Sequence, residues 1–478
     1  MKAEASKMNP ALLERDAVSF AIDSRDVQAG DVFFALAQPD YANNGFNGDF
    51  EDATKHVRSA FERGAAACVV RSDRFAEYKD EIGQFESELI FVDDTIAALQ
   101  RLAHSVYLDW NKPVVAITGS AGKTTAKELT AHMLQSSGLK VLRNIKNYNN
   151  GLGHPLTVLN LAKDNSYDVA VLEMGMSTPM NEIQRLTQIT PPDVAVELNV
   201  LPVHVEHLGS IENVAKAKAE LIEGMKDGGT AVLNADDPRV AAMRGLSKGR
   251  TITFGIDSPA DVQACDIEFP RFGETKFTLK TPDGESEVSF PLNGRHNISN
   301  ALAAAAVGHN FGMSLSEIAA SLHSVEPPPQ RGEVLHFADG FTVINDSYNS
   351  NPAALLSMVE TLVEGGSSAF RKIVVAGEML ELGRDETEQH RNVGRAIAGY
   401  NIDLLIGVRG LAKEMVRAAV DVGMDATFVE DSDIAGDLLG REIRPGDVVL
   451  VKGSRGVRTE KVVEKLIEKF EVSEQSMR

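Results

Sequence analysis

A lysine and two threonines close a short glycine turn that could bind phosphate. The turn consists of Thr118, Gly119, Ser120, Ala121, Gly122, Lys123, Thr124 and Thr125. An apolar run precedes it and a helical pattern follows it. Glycines let backbone N–H groups approach a phosphate, and a helix N-terminus supplies more of them. The Lys123 ammonium would offset the charge of the β- and γ-phosphates, and a hydroxyl after it can bind Mg²⁺. The pattern predicts binding of a nucleoside triphosphate.

The spacing of this turn differs from that of most phosphate loops. The usual pattern has a glycine five positions before Gly122, where this chain has Ile117. A plain glycine turn carrying a surface lysine is the alternative interpretation. The strand pattern before the turn and the helix pattern after it favour the phosphate site.

Two further side chains follow apolar strand patterns and could hold a metal ion. One run ends in Glu173, and the next leads to His204. Ligands of open α/β sheets bind at the carboxyl ends of the strands, and Mg²⁺ prefers oxygen ligands. Helix capping is the alternative role for Glu173. For His204 the alternative is a structural histidine.

Strand patterns alternate with helix patterns over most of the chain. The predicted strands are residues 114–118, 168–172, 194–198, 341–344, 372–375, 404–406 and 448–451, and the predicted helices include 124–136, 210–225 and 298–308. This alternation predicts an α/β fold with parallel sheets. Boundaries before Pro113 and at the proline run 327–329 predict three domains, 1–112, 113–329 and 330–478.

The composition excludes several classes of protein. The formal net charge is −21, and no basic stripe offsets it, which argues against a nucleic-acid partner. No apolar stretch is long enough to span a membrane, and the N-terminus does not resemble a secretory signal. The two cysteines form neither a metal-ligand spacing nor a disulfide framework. We therefore expect a cytoplasmic protein without membrane insertion.

The short phosphate loop resembles that of the Mur ligase superfamily, which includes the folylpolyglutamate synthetases. Further similar stretches are residues 147–155, 204–210, 217–220, 296–300, 331–333, 345–352 and 452–456. The resemblance covers nearly the whole chain. At 331–333 the Arg and Gly stand in the reverse of the family's order, and residues 38–61 look longer than the family's Asp-Gly-His turn.

Within the superfamily, residues 346–352 and 377–383 are most similar to the members that add D-alanyl-D-alanine. The resemblance implies a smaller α/β N-terminal domain for a UDP-N-acetylmuramoyl-tripeptide and a central P-loop-type ATPase domain with a parallel sheet. A Rossmann-like C-terminal domain would bind the dipeptide. ATP with Mg²⁺ would phosphorylate the tripeptide carboxylate, and the dipeptide amine would attack the acyl phosphate. A monomer is expected.

The resemblance also implies roles for individual residues at the nucleotide. Lys123 would act on the phosphates, and Thr124, Glu173 and His204 would serve the metal sites. Lys218 matches the superfamily lysine that carries a carbamate and binds a second Mg²⁺; a solvated helix lysine is the alternative. The residues that would meet the adenine, the phosphates and the ribose are, in that order, Asn300, Arg331 and Asp346. Lys123, His204 and Lys218 would be the catalytic residues.

Substrate contacts are implied at two further places. For the UDP-sugar they are Ser24, Arg25, Asn147 and Asn149. For the dipeptide they are Tyr348, Asn349, Asn351, Lys452, Ser454 and Arg455. Each of these assignments has a purely structural alternative. Arg25 could be a surface charge, residues 349–352 a turn that begins a helix, and residues 452–455 a glycine turn.

Two other functions remain possible at this point. One is a different ligase of the same superfamily, which would add a single amino acid to a muramoyl peptide or glutamate to a folate. The other is an ATP-dependent switch without ligase chemistry, for which Glu173 and His204 would be dispensable. Neither explains the 346–352 stretch as well as dipeptide addition does.

Overall fold

The structure is a computed structural model that describes residues 17–46, 48, 50–145, 147–176, 181–202, 208–326, 329–366, 369–380 and 382–473. Within these residues the chain forms three β-sheets, each covered by helices. Pro327 and Pro328 of the predicted boundary lie outside the described residues. No helix in the described part is both long and apolar enough to cross a membrane.

The first sheet has four parallel strands in the order β1-β2-β3-β4. Its strands are β1 (Phe20–Ala21), β2 (Val32–Phe34), β3 (Ala67–Arg71) and β4 (Leu89–Val92). Its helices are α1 (Gln38–Asn43), α2 (Val57–Glu62), α3 (Ser72–Glu77) and α4 (Lys79–Ile82), with 3-10 turns at Ala53–His56 and Gly83–Glu88. The long 38–61 segment therefore contains α1 and most of α2.

The helix α5 (Thr95–Trp110) joins the first sheet to the second. The Asp94 side chain caps it by accepting a hydrogen bond from the N–H of Ala97 at 2.7 Å. Leu99 of this helix is fully buried in a cluster that holds both Phe34 of β2 and Val114 of the central sheet. One continuous core thus underlies the first sheet and one face of the central sheet.

The central sheet has nine strands in the order β13-β12-β11-β10-β9-β8-β5-β7-β6. They are β5 (Val114–Thr118), β6 (Val141–Arg143), β7 (Val169–Glu173), β8 (Val194–Glu197), β9 (Thr230–Asn234), β10 (Arg250–Gly255), β11 (Val262–Arg271), β12 (Glu274–Thr281) and β13 (Gly284–Phe290). The sheet is parallel from β6 through β11, as expected, and antiparallel at one edge. There β11, β12 and β13 are antiparallel, because tight turns at Gly273 and Gly284, both with positive φ, connect them without crossover helices.

Helices cover both faces of the central sheet. They are α6 (Lys123–Ser136), α7 (Gly153–Val158), α8 (Asn160–Lys163), α9 (Glu182–Ile189), α10 (Ile211–Glu223), α11 (Pro238–Ala242), α12 (Arg295–Asn310) and α13 (Leu315–His323), with a 3-10 turn at Met243–Leu246. Strand β5 lies between β7 and β8, so Ile117 is in register with Glu173 and Thr118 with Glu197. The carboxyl ends of these three strands meet at the glycine turn.

The third sheet has the order β14-β15-β19-β16-β17-β18. Its strands are β14 (Glu333–His336), β15 (Thr342–Asp346), β16 (Arg371–Gly377), β17 (Leu404–Val408), β18 (Ala426–Val429) and β19 (Asp447–Lys452). Its helices are α14 (Pro352–Gly365), α15 (Glu386–Ala398), α16 (Ala412–Asp421), α17 (Ser432–Glu442) and α18 (Glu460–Lys469), with 3-10 turns at Gly383–Asp385 and Arg455–Val457. All pairs are parallel except β14 with β15. Strands β15 and β19 end side by side, which pairs Asp346 with Lys452.

The predicted α/β class is confirmed, and each strand and helix predicted by bounds is present with its ends shifted by at most three residues. The strands could be predicted from the sequence because buried parallel strands are continuous apolar runs. The central antiparallel edge was not predicted. There polar and apolar residues alternate, as in a sheet with one solvated face.

Candidate active site

The glycine turn between β5 and α6 adopts a form that only glycine permits at two positions. Gly122 has φ +84°, and a Cβ atom there would lie 2.4 Å from Oδ1 of Asn300. A Cβ atom on Gly119 would lie 2.8 Å from the Cβ atom of Leu198. The turn therefore packs against both α12 and the end of β8, and there is no room for a side chain at position 119 or 122.

Asn199 fixes the turn from the neighbouring strand end. Its Oδ1 accepts a hydrogen bond from the N–H of Ala121 at 2.9 Å, and its Nδ2 donates to the Ala121 carbonyl at 3.1 Å. Its own carbonyl accepts from the N–H of Ser120 at 2.9 Å. These bonds leave the first N–H groups of α6 for a ligand, since a helix does not use them internally. Asn199 was not predicted as a site residue, although its place after a strand is visible in the sequence.

Lys123 begins α6 and is half-buried. Its Nζ donates to the carbonyl oxygen of Gly119 at 2.8 Å, so the ammonium folds back over the turn. Desolvation lowers the pKa of Lys123, and the carboxylates of Glu173 and Glu197 partly offset that effect. A phosphate oxygen placed here would be a stronger partner for the ammonium than a carbonyl.

The buried Glu173 carboxylate meets the phosphate turn directly. One oxygen accepts from the Thr124 hydroxyl at 2.8 Å, and the other accepts from Nδ2 of Asn149 at 2.7 Å. The buried Asn144 fixes the backbone at Glu173 with two further hydrogen bonds, of 3.0 and 2.9 Å. Glu173 is therefore an oriented carboxylate and does not cap a helix.

The Thr124 hydroxyl and the Glu173 carboxylate fit a Mg²⁺ ion. Both present oxygen atoms, and Mg²⁺ is commonly held by one or two protein oxygens, substrate phosphates and water. In the part of the chain that the structure describes, no group of three or more His, Cys, Asp or Glu side chains is arranged to hold a metal ion. His204, the other expected ligand, lies outside the described residues.

A cavity of about 430 Å³ opens in front of the turn. Its walls from the central part of the chain include residues 120–125, Asn147, Asn149, Glu173 and Asn300. Its walls from the C-terminal part include Arg331, Asp346, Tyr348, Asn349, Asn351 and Lys452. Most of the residues that the resemblance implied for the nucleotide and for the dipeptide thus line one space.

Arg331 links the C-terminal part of the chain to the phosphate turn. Its Nη2 lies 3.3 Å from the Thr124 hydroxyl, to which it donates. Its guanidinium carbon lies 4.1 Å from the centroid of the Tyr348 ring, and that of Arg455 lies 5.7 Å from the same centroid. A guanidinium at such a distance from a ring face is attracted by the π electrons. The Tyr348 ring therefore supports Arg331 on the side away from Thr124.

Asp346 and Lys452 form an ion pair at the ends of β15 and β19. The Lys452 ammonium is buried, contacts Oδ2 of Asp346, and donates to the carbonyl of Asn349 at 2.9 Å. The resemblance implied separate roles for the two, ribose for Asp346 and dipeptide for Lys452. Because Asp346 and Lys452 are in contact, a ligand that reaches either side chain meets both charges.

Asn351 caps α14 by accepting a hydrogen bond from the N–H of Ala354 at 2.8 Å. The alternative interpretation, a turn that begins a helix, is therefore correct for this stretch, and Asn351 also lines the cavity.

The other predicted site residues do not line this cavity. Ser24 and Arg25 lie in the first part of the chain, and the Arg25 side chain is 83% exposed and paired with Asp23. Ser454 is buried and accepts a hydrogen bond from the N–H of Leu380 at 2.9 Å, whereas Arg455 is exposed.

Lys218 is buried in α10, which rules out the alternative of a solvated helix lysine.

Besides Asn199, two further side chains near the phosphate turn were not predicted from the sequence. His296 lines the cavity, and its Nδ1 lies 3.1 Å from Oγ of Ser357, which joins α12 to α14. Desolvation lowers its pKa to about 4, so the ring is neutral at physiological pH. Glu197 ends the fully buried strand β8. The signal for Glu197 was available, because a lone acid follows three apolar residues there.

Family descriptions match two long parts of the chain. The Mur ligase middle domain matches residues 117–308, and the Mur ligase, glutamate ligase domain matches residues 330–455. Two relatives carry the name UDP-N-acetylmuramoyl-tripeptide–D-alanyl-D-alanine ligase. That of Mycobacterium leprae is 34% identical, over 92% of this chain and 90% of its own length. That of Bacillus subtilis is 33% identical, over 94% of this chain and 93% of its own.

Solved structures match the whole architecture. The chain is similar to a crystal structure of MurF from Acinetobacter baumannii, with a TM-score of 0.82, 29% identity, and coverage of 95% of this chain and 94% of that one. It is also similar to the MurF ligase of Thermotoga maritima in complex with ADP, with a TM-score of 0.79, 27% identity, and coverage of 96% and 98%.

The domain matches, the phosphate turn and these structures define an ATP-dependent ligase that forms a peptide bond. The chain belongs to the Mur ligase family.

The Arg331–Tyr348 contact leads to a prediction about nucleotide affinity. Tyr348→Leu removes the ring face that supports Arg331 and should weaken ATP binding roughly fivefold, as expected for a partly desolvated cation–π contact. Tyr348→Phe keeps that face and should bind ATP within about twofold of the unchanged protein. Titration calorimetry measures both. Equal losses in the two variants would mean that the hydroxyl, and not the ring face, supports the site.

The Asn149–Glu173 hydrogen bond leads to a second prediction. Asn149→Ala leaves the Glu173 carboxylate less well oriented, so the Mg²⁺ concentration that half-saturates ATP binding should rise about 10-fold. Asn147→Ala is the matched control, because Asn147 lines the same cavity from an exposed position. It should leave the Mg²⁺ dependence unchanged. A defect of Asn149→Ala confined to the UDP-linked substrate would instead favour the role that the resemblance implied.

Proposed function

We propose that this chain uses ATP to join D-alanyl-D-alanine to UDP-N-acetylmuramoyl-tripeptide, a step in the synthesis of peptidoglycan precursors. The observation that carries the proposal is the single cavity bounded by the phosphate turn and by Asp346, Tyr348, Asn349 and Lys452 of the C-terminal part. The relatives named above act on these substrates by name and match the chain almost from end to end.

The chemistry follows from the poor reactivity of a carboxylate. An oxygen of the tripeptide carboxylate attacks the γ-phosphorus of ATP, and ADP leaves with the electrons of the broken P–O bond. The D-alanyl-D-alanine amine then attacks the acyl carbon. Phosphate leaves with the former carboxylate oxygen, and the amine gives up a proton. The protein has to hold two anions and an amine together and offset the developing charge.

The residues of the phosphate turn would supply the positive charge that offsets the developing negative charge. Lys123 and the free N–H groups of α6 would bind the phosphates, and Arg331 would approach them from the opposite wall. Thr124, Glu173 and His204 are the proposed ligands of Mg²⁺, which neutralises phosphate charge when bound. Asn300, which contacts Gly122, is the proposed neighbour of the adenine.

The two other substrates are assigned by position. Tyr348, Asn349, Asn351 and Lys452 would bind the dipeptide on the C-terminal wall. Ser454 and Arg455 follow Lys452 in the chain and do not line the cavity. Asn147 would face the UDP-linked tripeptide from the central domain, with Ser24 and Arg25 in the first domain. The domain limits 1–112, 113–329 and 330–478, the cytoplasmic location and the monomeric state stay predictions of the sequence.

Release of phosphate from ATP tests the proposed function. With UDP-N-acetylmuramoyl-tripeptide present, release should depend on D-alanyl-D-alanine, and the product should be the UDP-linked pentapeptide by mass. Single amino acids, and glutamate with a folate, serve as control substrates. Equal phosphate release without the dipeptide, or faster release with a control substrate, would contradict the proposal.

The position of Lys218 supports the carbamate that the resemblance implied. The side chain is buried, and burial together with the charge of Lys123 lowers the pKa of Lys218 to about 7. A lysine of lowered pKa carries more of the neutral amine, whose nitrogen attacks carbon dioxide and loses a proton to give the carbamate. The carbamate would add an anionic oxygen ligand for Mg²⁺ near the phosphate turn.

Lys218→Arg should therefore lower kcat by about 10- to 100-fold. Lys216→Arg is the matched control, because Lys216 is exposed two positions earlier on the same helix. It should keep full activity. Native mass spectrometry of gently handled protein should show the mass of one added carbon dioxide in the control and not in Lys218→Arg. An unmodified Lys218 in active protein would contradict the carbamate.

A further inference from the structure

Two stretches of the sequence, residues 346–352 and residues 377–383, are most similar to the ligases that add D-alanyl-D-alanine, and the proposed function uses only the first. The first stretch lines the cavity. The second begins at the end of β16, and none of its described residues lines the cavity. A role of the second stretch in the reaction therefore requires a contact that connects it to the first.

The ends of β16 and β19 approach each other closely at two glycines. A Cβ atom on Gly377, the last residue of β16, would lie 3.0 Å from the Cα atom of Gly453, which follows β19. A Cβ atom on Gly453 would lie 2.6 Å from Cγ2 of Thr459. Neither position has room for a side chain. The residues that follow the two strands can therefore contact each other through their backbones.

Ser454 connects the second stretch to the first. Its N–H donates to the carbonyl of Glu378 at 3.3 Å, and its hydroxyl oxygen accepts from the N–H of Leu380 at 2.9 Å. The same hydroxyl donates to the carbonyl of Ser350 at 3.3 Å. A hydroxyl can accept and donate together because it has two lone pairs and one proton. One buried side chain thus joins the two stretches.

Ser350 lies between the two asparagines that are proposed to bind the dipeptide. Asn349, Ser350 and Asn351 all line the cavity, and Ser350 is buried. The N–H of Ser350 donates to Oδ1 of Asn349 at 2.9 Å, and the ammonium of Lys452 donates to the Asn349 carbonyl at 2.9 Å. A shift of the Ser350 backbone would therefore displace both asparagines.

His390 fixes the second stretch from the other side. It lies in α15 and is fully buried. Its Nε2 accepts from the N–H of Met379 at 3.0 Å, and its Nδ1 lies 2.7 Å from the carbonyl oxygen of Glu386. An amide N–H can only donate, so Nε2 is the acceptor and Nδ1 donates to Glu386. The ring thus holds the backbone immediately before Leu380, whose N–H meets Ser454.

We infer that Ser454 is a positioning residue for the dipeptide: its hydroxyl fixes the carbonyl of Ser350, and His390 fixes the backbone that orients this hydroxyl. The inference deepens the proposed function and rests on it in one respect, that residues 349–351 bind the dipeptide. It assigns no contact with a substrate to Ser454 or His390. Its distinctive consequence is that loss of the hydroxyl weakens dipeptide binding more than ATP binding.

Ser454→Ala tests this consequence in the phosphate-release assay. The KM for D-alanyl-D-alanine should rise about 10-fold, because the Ser350 carbonyl loses its partner. The KM for ATP should stay within about twofold, because Tyr348 is held separately, by the hydrogen bond of its N–H to the carbonyl of Gln330 at 3.2 Å. The kcat at saturating dipeptide should stay within about threefold. Ser454→Thr keeps a hydroxyl and should bring the dipeptide KM back to within about threefold of the unchanged protein.

Ser432→Ala is the matched control. Ser432 is also buried in the C-terminal part, and its hydroxyl donates to the carbonyl of Val457 at 3.0 Å. Both alanine variants should melt about 2 to 4 °C lower, but Ser432→Ala should leave the dipeptide KM unchanged. A rise of less than fivefold in the dipeptide KM of Ser454→Ala would overturn the inference. So would an equal rise in the KM for ATP, because the hydroxyl would then only stabilise the fold.

His390→Leu decides the matter if Ser454→Ala does not fold. It removes the acceptor for the N–H of Met379, so a fivefold or larger rise in the dipeptide KM supports the inference, and a smaller rise overturns it. His390→Gln carries an oxygen that can replace Nε2 and should stay within about threefold. The unchanged protein is assayed first: if its phosphate release does not depend on the dipeptide, the proposed function fails on its own, separately from these comparisons.

Discussion

The hydroxyl group of Thr124 is the point on which the site depends. It donates to Glu173 of β7 at 2.8 Å and accepts from Arg331 of the C-terminal part at 3.3 Å. A hydroxyl can do both at once because it has one proton and two lone pairs. The phosphate turn, a neighbouring strand end and the last third of the chain therefore meet at one oxygen atom. This contact and the His296–Ser357 contact both link the two halves of the cavity.

The site also explains how an acidic chain can bind anionic substrates. The net charge is −21, but Lys123, Arg331 and Lys452 face the cavity, and each of them is held by a partner within the protein. These partners hold the cations in place before a ligand arrives, even though the charge of Arg331 contributes to the lowered pKa of Lys123. A binding anion then exchanges places with weak partners, such as the Gly119 carbonyl, and needs no rearrangement of the fold.

Much of the fold and the local part of the site could be predicted from the sequence. The turn from Gly119 to Thr125 is contiguous, so its chemistry is visible in one stretch, and Glu173 is marked by a strand that ends in an acid. Asn199 was missed because its contacts with the phosphate turn depend on β5 and β8 becoming neighbours across the sheet. Arg25 illustrates the opposite limit: in the sequence, a charged residue in a turn looks the same whether it binds a ligand or lies on the surface, and its ion pair with Asp23 is compatible with both.

The shared core around α5 has a consequence for how the protein comes apart. Leu99 packs with residues of the first and the central sheet alike, so those two sheets cannot lose their packing independently. The third sheet has two core clusters of its own, to which the central part contributes Phe272. We therefore expect the first and central sheets to unfold as one cooperative unit, coupled less strongly to the third sheet through Phe272 and the contacts around the cavity. A ligand that bridges the cavity would couple the melting of one unit to that of the other.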